Sequence, residues 1–265
     1  MTARQSGPFD PTLIAPWRLG EGRRGALLLH GFAGTPPELR RLGEHLAAHG
    51  WRCVAPTMAG HGTTPEEFAR VTWRGWAESA QAALQALAAE CDTVCVAGQS
   101  MGGSMALHLA ARDPSIAAVA ALASPIWIRD WRLRMLPLVH NLVRWHVPSD
   151  EVDLYDQAAI EELWSYGRRP TRAILELTRF IAAVRDELAM VRAPVLLMHG
   201  GRDRTIDPRN MDDIAARLVC SAAVETVLLP RSGHAVSVDV DRETVNARVG
   251  EWFERWVPAD ERLAV

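Results

Sequence analysis

Lysine is absent from this chain: among 265 residues, all 29 basic side chains other than histidine are arginine. That excludes a P-loop, Schiff-base chemistry and a Ser–Lys dyad, because each depends on a lysine amine. Cysteine is scarce, with four residues, Cys53, Cys91, Cys95 and Cys220, and none has partners at zinc-ligand spacing. Three of them fall in or beside expected strands or helix ends and read as small buried apolar residues, so no metal is expected. Positive charge is not in excess either, the net charge being −3. With no basic patch interleaved with aromatics, nucleic acid is not an expected partner. No apolar run approaches the ~18 residues of a membrane span. Met1 to Gly25 lacks an apolar h-region. The expectation is a cytoplasmic protein with no integral membrane segment.

Short apolar runs alternate with amphipathic stretches. Residues 1 to about 12 read as a polar lead-in, and Leu13 to Leu19 as a short edge strand interrupted by Pro16. Ala26-Leu27-Leu28-Leu29-His30 is a continuous apolar run ended by Gly31, as expected of a buried parallel strand. A helix is predicted over Pro36 to His49, closed by Gly50, then a strand over Trp51 to Pro56. Thr72 to Ala89 is an alanine-rich helix, followed by strands at 93–97 and Ile116 to Ala123 with a helix to Arg112 between them. The pattern resumes with strands over Val195 to His199 and Glu225 to Leu229, and ends in a helix over Asp241 to Trp256.

This alternation predicts an α/β protein with a mostly parallel sheet and helices on both faces. The pattern breaks from Pro125 to about Arg192. That segment holds Trp127, Trp131, Trp145 and Trp164, shows helical stretches at Gln157–Tyr166 and Thr171–Met190, and no strand-like run. The reading is a core of 1–124 and 193–265 with a helical cap, 125–192, inserted between strands. A helical embellishment packed away from the site is the bland alternative.

Gly98-Gln99-Ser100-Met101-Gly102-Gly103 stands between the apolar run Thr93 to Ala97 and a helical segment. With glycine at about 7% of average usage, a chance G-x-S-x-G is expected in roughly one chain in ten of this length. The strand before and the helix after are what give it weight. On such a turn a serine is held in a strained conformation with its hydroxyl exposed beside a helix N-terminus, which favours developing negative charge. The feature points to nucleophilic acyl transfer.

Serine needs a base and an orienting carboxylate. In sheet enzymes of this kind the acid and then the histidine follow the serine along the chain. Of the histidines after Ser100, His140 and His146 lie in the cap segment and His199 ends a strand facing a Gly-Gly turn. His234 lies in a loop between the last strand and the last helix, where a base belongs. The acid is expected after the strand ending at His199. Asp203 falls on that turn; Asp207, before Pro208, is the alternative and looks like a helix N-cap. Glu225 lies in a strand. The oxyanion requires two converging N–H donors. Those of Met101 and Phe32 are expected to provide them. His30 is expected to brace its loop, and His61 to be structural.

His30-Gly31-Phe32-Ala33-Gly34-Thr35-Pro36, Gly60-His61-Gly62-Thr63, the Ser100 motif, Gly201-Arg202-Asp203 and Ser232-Gly233-His234 occur in that order. Together they resemble the bacterial carboxylesterase and monoacylglycerol-lipase branch of the α/β-hydrolase superfamily, over roughly 25–125 and 193–256. The resemblance implies an α/β-hydrolase fold, Ser100, Asp203 and His234 as a triad, Phe32 and Met101 as oxyanion donors, and a small helical cap over an apolar acyl pocket. The cap contains no matching motif. The expected substrate is a small ester, short- to medium-chain or a monoacylglycerol, with no cofactor and no metal. Two other readings fit the same residues. One is different chemistry on this fold, namely carbon–carbon hydrolysis, perhydrolysis or peptidase action. The other is a non-catalytic binding protein.

Overall fold

Seven strands carry the molecule, and the apolar runs of the sequence form them. A computed structural model describes residues 14–140, 142–147 and 153–259, apart from the side chains of 161 and 162. The expected lead-in at 1–12 and the start of the edge strand at Leu13 lie outside the described residues. The strands are β1 (Trp17–Leu19), β2 (Arg24–Leu29), β3 (Trp51–Ala55), β4 (Thr93–Gln99), β5 (Ile116–Leu122), and, after an excursion, β8 (Val195–Gly200) and β9 (Val224–Leu229). They lie in the order β1-β3-β2-β4-β5-β8-β9. Only β1 runs antiparallel, against β3.

Successive residues of the central strands point to opposite faces, and both faces are buried. Leu27, Leu29, Val96 and Val119 join one apolar cluster; Ala26, Leu28, Cys95 and Ala120 join the other. On the first face lie α3 (Trp73–Ala88), α4 (Met101–Arg112) and α6 (Thr171–Glu187); on the second, α1 (Arg40–Ala48) and α8 (Arg242–Trp256). A short α2 (Pro65–Phe68) precedes α3, and α7 (Arg209–Ala215) follows β8. The expected helix over 36–49 begins as a 3₁₀ turn, Pro36–Leu39, before α1. Pro36 and Pro37 occupy the first positions of that turn, where a missing backbone donor costs nothing.

Between β5 and β8 the chain makes a 3₁₀ turn (Trp131–Met135), α5 (Leu136–Val139), β6 (Trp145–His146), a second 3₁₀ turn (Gln157–Glu162), β7 (Arg169–Pro170) and α6. The expectation of no strand in this segment is corrected by β6 and β7, which pair antiparallel. Two-residue strands are too short to show periodicity. Although α6 lies within 125–192, its Phe180, Ile181 and Val184 share a cluster with Trp76 of α3 and Met105 of α4. Among the described residues, no helix is long and apolar enough to cross a membrane.

Parallel register brings the strand ends together. Leu29 of β2 pairs with Gly98 of β4, and Gln99 with Leu122 of β5. The loops after β2, β4 and β8 therefore open at one edge of the sheet, where open α/β sheets place their sites.

Candidate active site

The turn from β4 to α4 is built on glycine. A Cβ at Gly98 would run into the backbone of Gly102, and one at Gly102 into the Leu29 carbonyl. This lets helix and strand approach closely enough to force Ser100 to φ 56° and ψ −119°. The Ser100 N–H donates to Leu122 O at 2.7 Å, tying the turn to β5. So strained a conformation at a non-glycine residue is maintained by surrounding structure and concentrates at functional sites.

Ser100 Oγ lies 2.9 Å from His234 Nε2. On the other side of the ring, His234 Nδ1 lies 2.8 Å from Asp203 Oδ2. An alcohol, an imidazole and a carboxylate from three distant stretches of chain are thereby linked in one line. Asp203 Oδ1 accepts the Thr205 and Ile206 N–H groups at 2.9 and 2.8 Å. Burial pushes the Asp203 carboxyl up. The His234 charge, the His199 and His234 hydrogen bonds and the Ile206 N–H outweigh it and hold the group well below the usual carboxylate range. For His234, burial works against the imidazolium. Asp203, by charge and hydrogen bond, and the charges of Asp153 and Glu38 outweigh it and raise the ring above its ordinary value.

Asp207 does not join this line. Its carboxylate is engaged by Arg209, at 2.5 Å from Nη2. Pro208, not Asp207, holds the N-cap position of α7, although Asp207 Oδ1 still accepts the Arg209 N–H at 3.1 Å. His140 Nδ1 bonds to Leu136 O at 3.1 Å, and His146 lies on β6.

Phe32 follows β2 in a loop whose next residue, Ala33, has φ 61°. The Phe32 ring packs 5.3 Å from that of Phe68 and 5.9 Å from that of Trp76. Its N–H and that of Met101, the first residue of α4, donate to no acceptor among the described residues. His30 braces this loop: its Nε2 accepts the Met58 N–H and its Nδ1 donates to Gly31 O, both at 3.0 Å. Burial drops the His30 pKa to about 4, so the ring stays neutral. His61 packs among aromatic rings, 4.8 Å from His30 and 4.5 Å from Phe68.

Four contributors escape the sequence reading. His199, at the end of β8, reaches Asp203 Oδ2 with its Nε2 at 2.9 Å. Gln99 donates from Nε2 to His234 O at 2.7 Å, fixing the histidine loop beside the serine. Asp153 accepts the His234 N–H through its main-chain oxygen at 3.0 Å. Glu38, on the 3₁₀ turn, accepts the Gly31 N–H and is pushed up to about 7 by burial. The four-residue step from His199 to Asp203 is visible in the sequence, but only the β8 turn brings the two side chains together.

A cavity of about 1390 Å³ opens over Ser100 and His234. Phe32, Leu133, Leu136, Val139, Trp164 and Leu177 give it an apolar lining. Among the described residues there is no group of three or more His, Cys, Asp or Glu placed to hold a metal. Cys53, Cys91 and Cys95 are buried free thiols and Cys220 is exposed.

Residues 21–241 match the model of the Serine aminopeptidase, S33 family. The chain belongs to this family of α/β-hydrolases. A thermostable monoacylglycerol lipase from Bacillus sp. (strain H-257) is 30% identical over 245 residues, covering 91% of this chain and 94% of that one. A carboxylesterase from Bacillus subtilis (strain 168) is 26% identical over 244 residues, covering 91% and 96%. A solved structure from work on the metagenome-derived lipolytic enzymes LipS and LipT superposes with a TM-score of 0.86 at 27% identity, covering 92% of this chain and 98% of that one. The monoacylglycerol lipase of Paleococcus ferrophilus shares the fold at 16% identity, with a TM-score of 0.77 and coverage of 91% and 98%. The α/β-hydrolase fold and the carboxylesterase and monoacylglycerol-lipase branch implied by the motifs are therefore those of this chain.

Proposed function

We propose that this enzyme is a serine carboxylic-ester hydrolase acting on short- to medium-chain acyl esters or monoacylglycerols. Ser100 attacks the ester carbonyl while His234 takes its proton. Asp203 holds the imidazole in the tautomer with Nε2 free and stabilises the imidazolium. The N–H groups of Phe32 and Met101 receive the oxyanion. His234 then protonates the leaving alcohol. Water, activated by the same base, attacks the acyl-enzyme and releases the acid. No step calls on a cofactor. Residues 125–192 act as a cap over the acyl pocket, held to the core through α6, with 1–124 and 193–265 as the catalytic core.

The observation that carries this reading is the unbroken line from Ser100 Oγ through His234 to Asp203. The unpaired N–H groups of Phe32 and Met101 support it, as does the ester-cleaving activity named for the Bacillus relatives.

Two measurements test it. A fluorophosphonate probe should label Ser100, and Ser100→Ala should lose on the order of 10³-fold or more in turnover while still folding. A panel of 4-nitrophenyl esters of graded chain length and monoacylglycerols, set against aminoacyl anilides and diketones, should show cleavage of the esters. Preferential cleavage of the anilides would replace this reading with a peptidase, and an unlabelled Ser100 in folded protein would remove it.

A further inference from the structure

One partly buried cation in the cavity over Ser100 pairs with no anion among the described residues. Arg169, on β7, lines that cavity together with Ser100 and His234. Its Nε is shielded from solvent and has no hydrogen-bond partner. Its Nη2 reaches only Ser165 Oγ, at 3.4 Å. Arg132 pairs with Asp130 at 2.7 Å, Arg204 with Asp153 at 3.7 Å and Asp203 with His199 and His234, while Arg129, also on the lining, is exposed to solvent. Arg169 makes no ion pair with any described residue. Directly across the β6–β7 ribbon stands His146. Burial, then the charges of Arg169 and Arg132, holds that ring below its ordinary pKa. The residue paired with Arg169 across the ribbon is therefore an imidazole, not a counter-ion.

Burying a charge without a partner costs several kcal/mol, and a guanidinium does not escape by losing its proton. Burial lowers the Arg169 pKa, but the guanidinium stays protonated. A cation left in that state, facing a cavity, is completed when an anion arrives with the ligand. The planar fork of a guanidinium pairs with a carboxylate through two parallel hydrogen bonds. Leu136, Val139 and Leu177 also line the cavity and suit methylene groups.

We propose that Arg169 binds a substrate carboxylate remote from the scissile ester, so that half-esters of dicarboxylic acids are better substrates than methyl-ended esters of equal length. The proposal rests on the ester-hydrolase reading above and narrows its substrate class.

The test compares methyl half-esters of the C6 to C8 dicarboxylic acids with methyl hexanoate, heptanoate and octanoate, following acid release. The expected result is a kcat/KM ratio in favour of the half-ester of about 10 or more for at least one length, mainly through KM, and falling as salt is raised. Arg169→Met should bring that ratio to about one or below, and Arg169→Lys should keep part of it. A ratio of one or less at every length in the native enzyme overturns the proposal, as does a ratio unaltered by Arg169→Met in protein that folds. If Ser100 is labelled and neutral esters are cleaved without half-ester preference, only the carboxylate site falls. If no ester is cleaved, both readings fall.

Discussion

The main-chain oxygen of Asp153 accepts the His234 N–H at 3.0 Å, while its side chain accepts the N–H groups of Arg204 and Thr205 at 2.6 and 3.0 Å. One residue of the 125–192 segment thus clamps the loop of the acid to the loop of the base. Its carboxylate is also one of the charges that raise the His234 pKa. Asp153→Ala keeps the main-chain bond but removes the charge and frees two N–H groups. We expect kcat/KM to fall about 10-fold and the acid limb of the pH–rate profile to move to lower pH. A native rate with an unmoved midpoint would show that the clamp is inert.

His199 and His234 both bond to Oδ2 of Asp203. His199→Phe removes one donor and retains a ring of similar size. With fewer donors the carboxylate attracts the His234 proton more strongly. The acid limb should shift upward in pH, with a loss of roughly 3- to 10-fold in kcat/KM at neutrality. A downward shift, read in the same profile, would contradict this.

Under the proposed mechanism, His234 must start neutral to accept the Ser100 proton. Its pKa is raised above 6.5. Activity should therefore rise with pH through a midpoint above 6.5, and fall as pH drops below it. A profile flat across pH 6 to 8 in kcat/KM is the contrary outcome.

Glu38 makes a separate prediction, about stability. Its folded pKa, about 7, lies above the ordinary carboxyl value of 4.5. The folded state therefore holds the proton more tightly than the unfolded one. The stabilisation is full below about pH 4.5 and is lost as pH rises through about 7, a difference on the order of 3 kcal/mol. Glu38→Gln keeps an oxygen for the Gly31 N–H and cannot ionise. Its Tm advantage over the native protein should grow between pH 5 and pH 8. Equal margins at both values would mean that Glu38 is not the buried acid described here.

Much of the site was legible because its chemistry depends on local backbone. Glycine at 98 relieves a clash within one turn and glycine at 102 lets that turn pack on β2, so the elbow shows in six consecutive residues. Strands buried on both faces read as continuous apolar runs, so the sheet was legible too. The β6–β7 ribbon was not, because two residues per strand carry no period. Glu38 falls in the first turn of the predicted 36–49 helix, where nothing in the sequence marks it as buried. Its burial follows from the 3₁₀ turn at Pro36–Leu39, which lays it under the Gly31 loop.

Sequence alone determined which residue types could react and on which loops they sit, since turn-forming glycines and apolar runs act over a few neighbouring positions. Tertiary structure decided the rest. It lined up Asp203 rather than Asp207 with His234, placed His199 and Asp153 beside them, and left Arg169 without an ion pair among the described residues. Those outcomes depend on contacts spanning tens of residues or more, or on which side chain a turn happens to bury, and no local pattern records them.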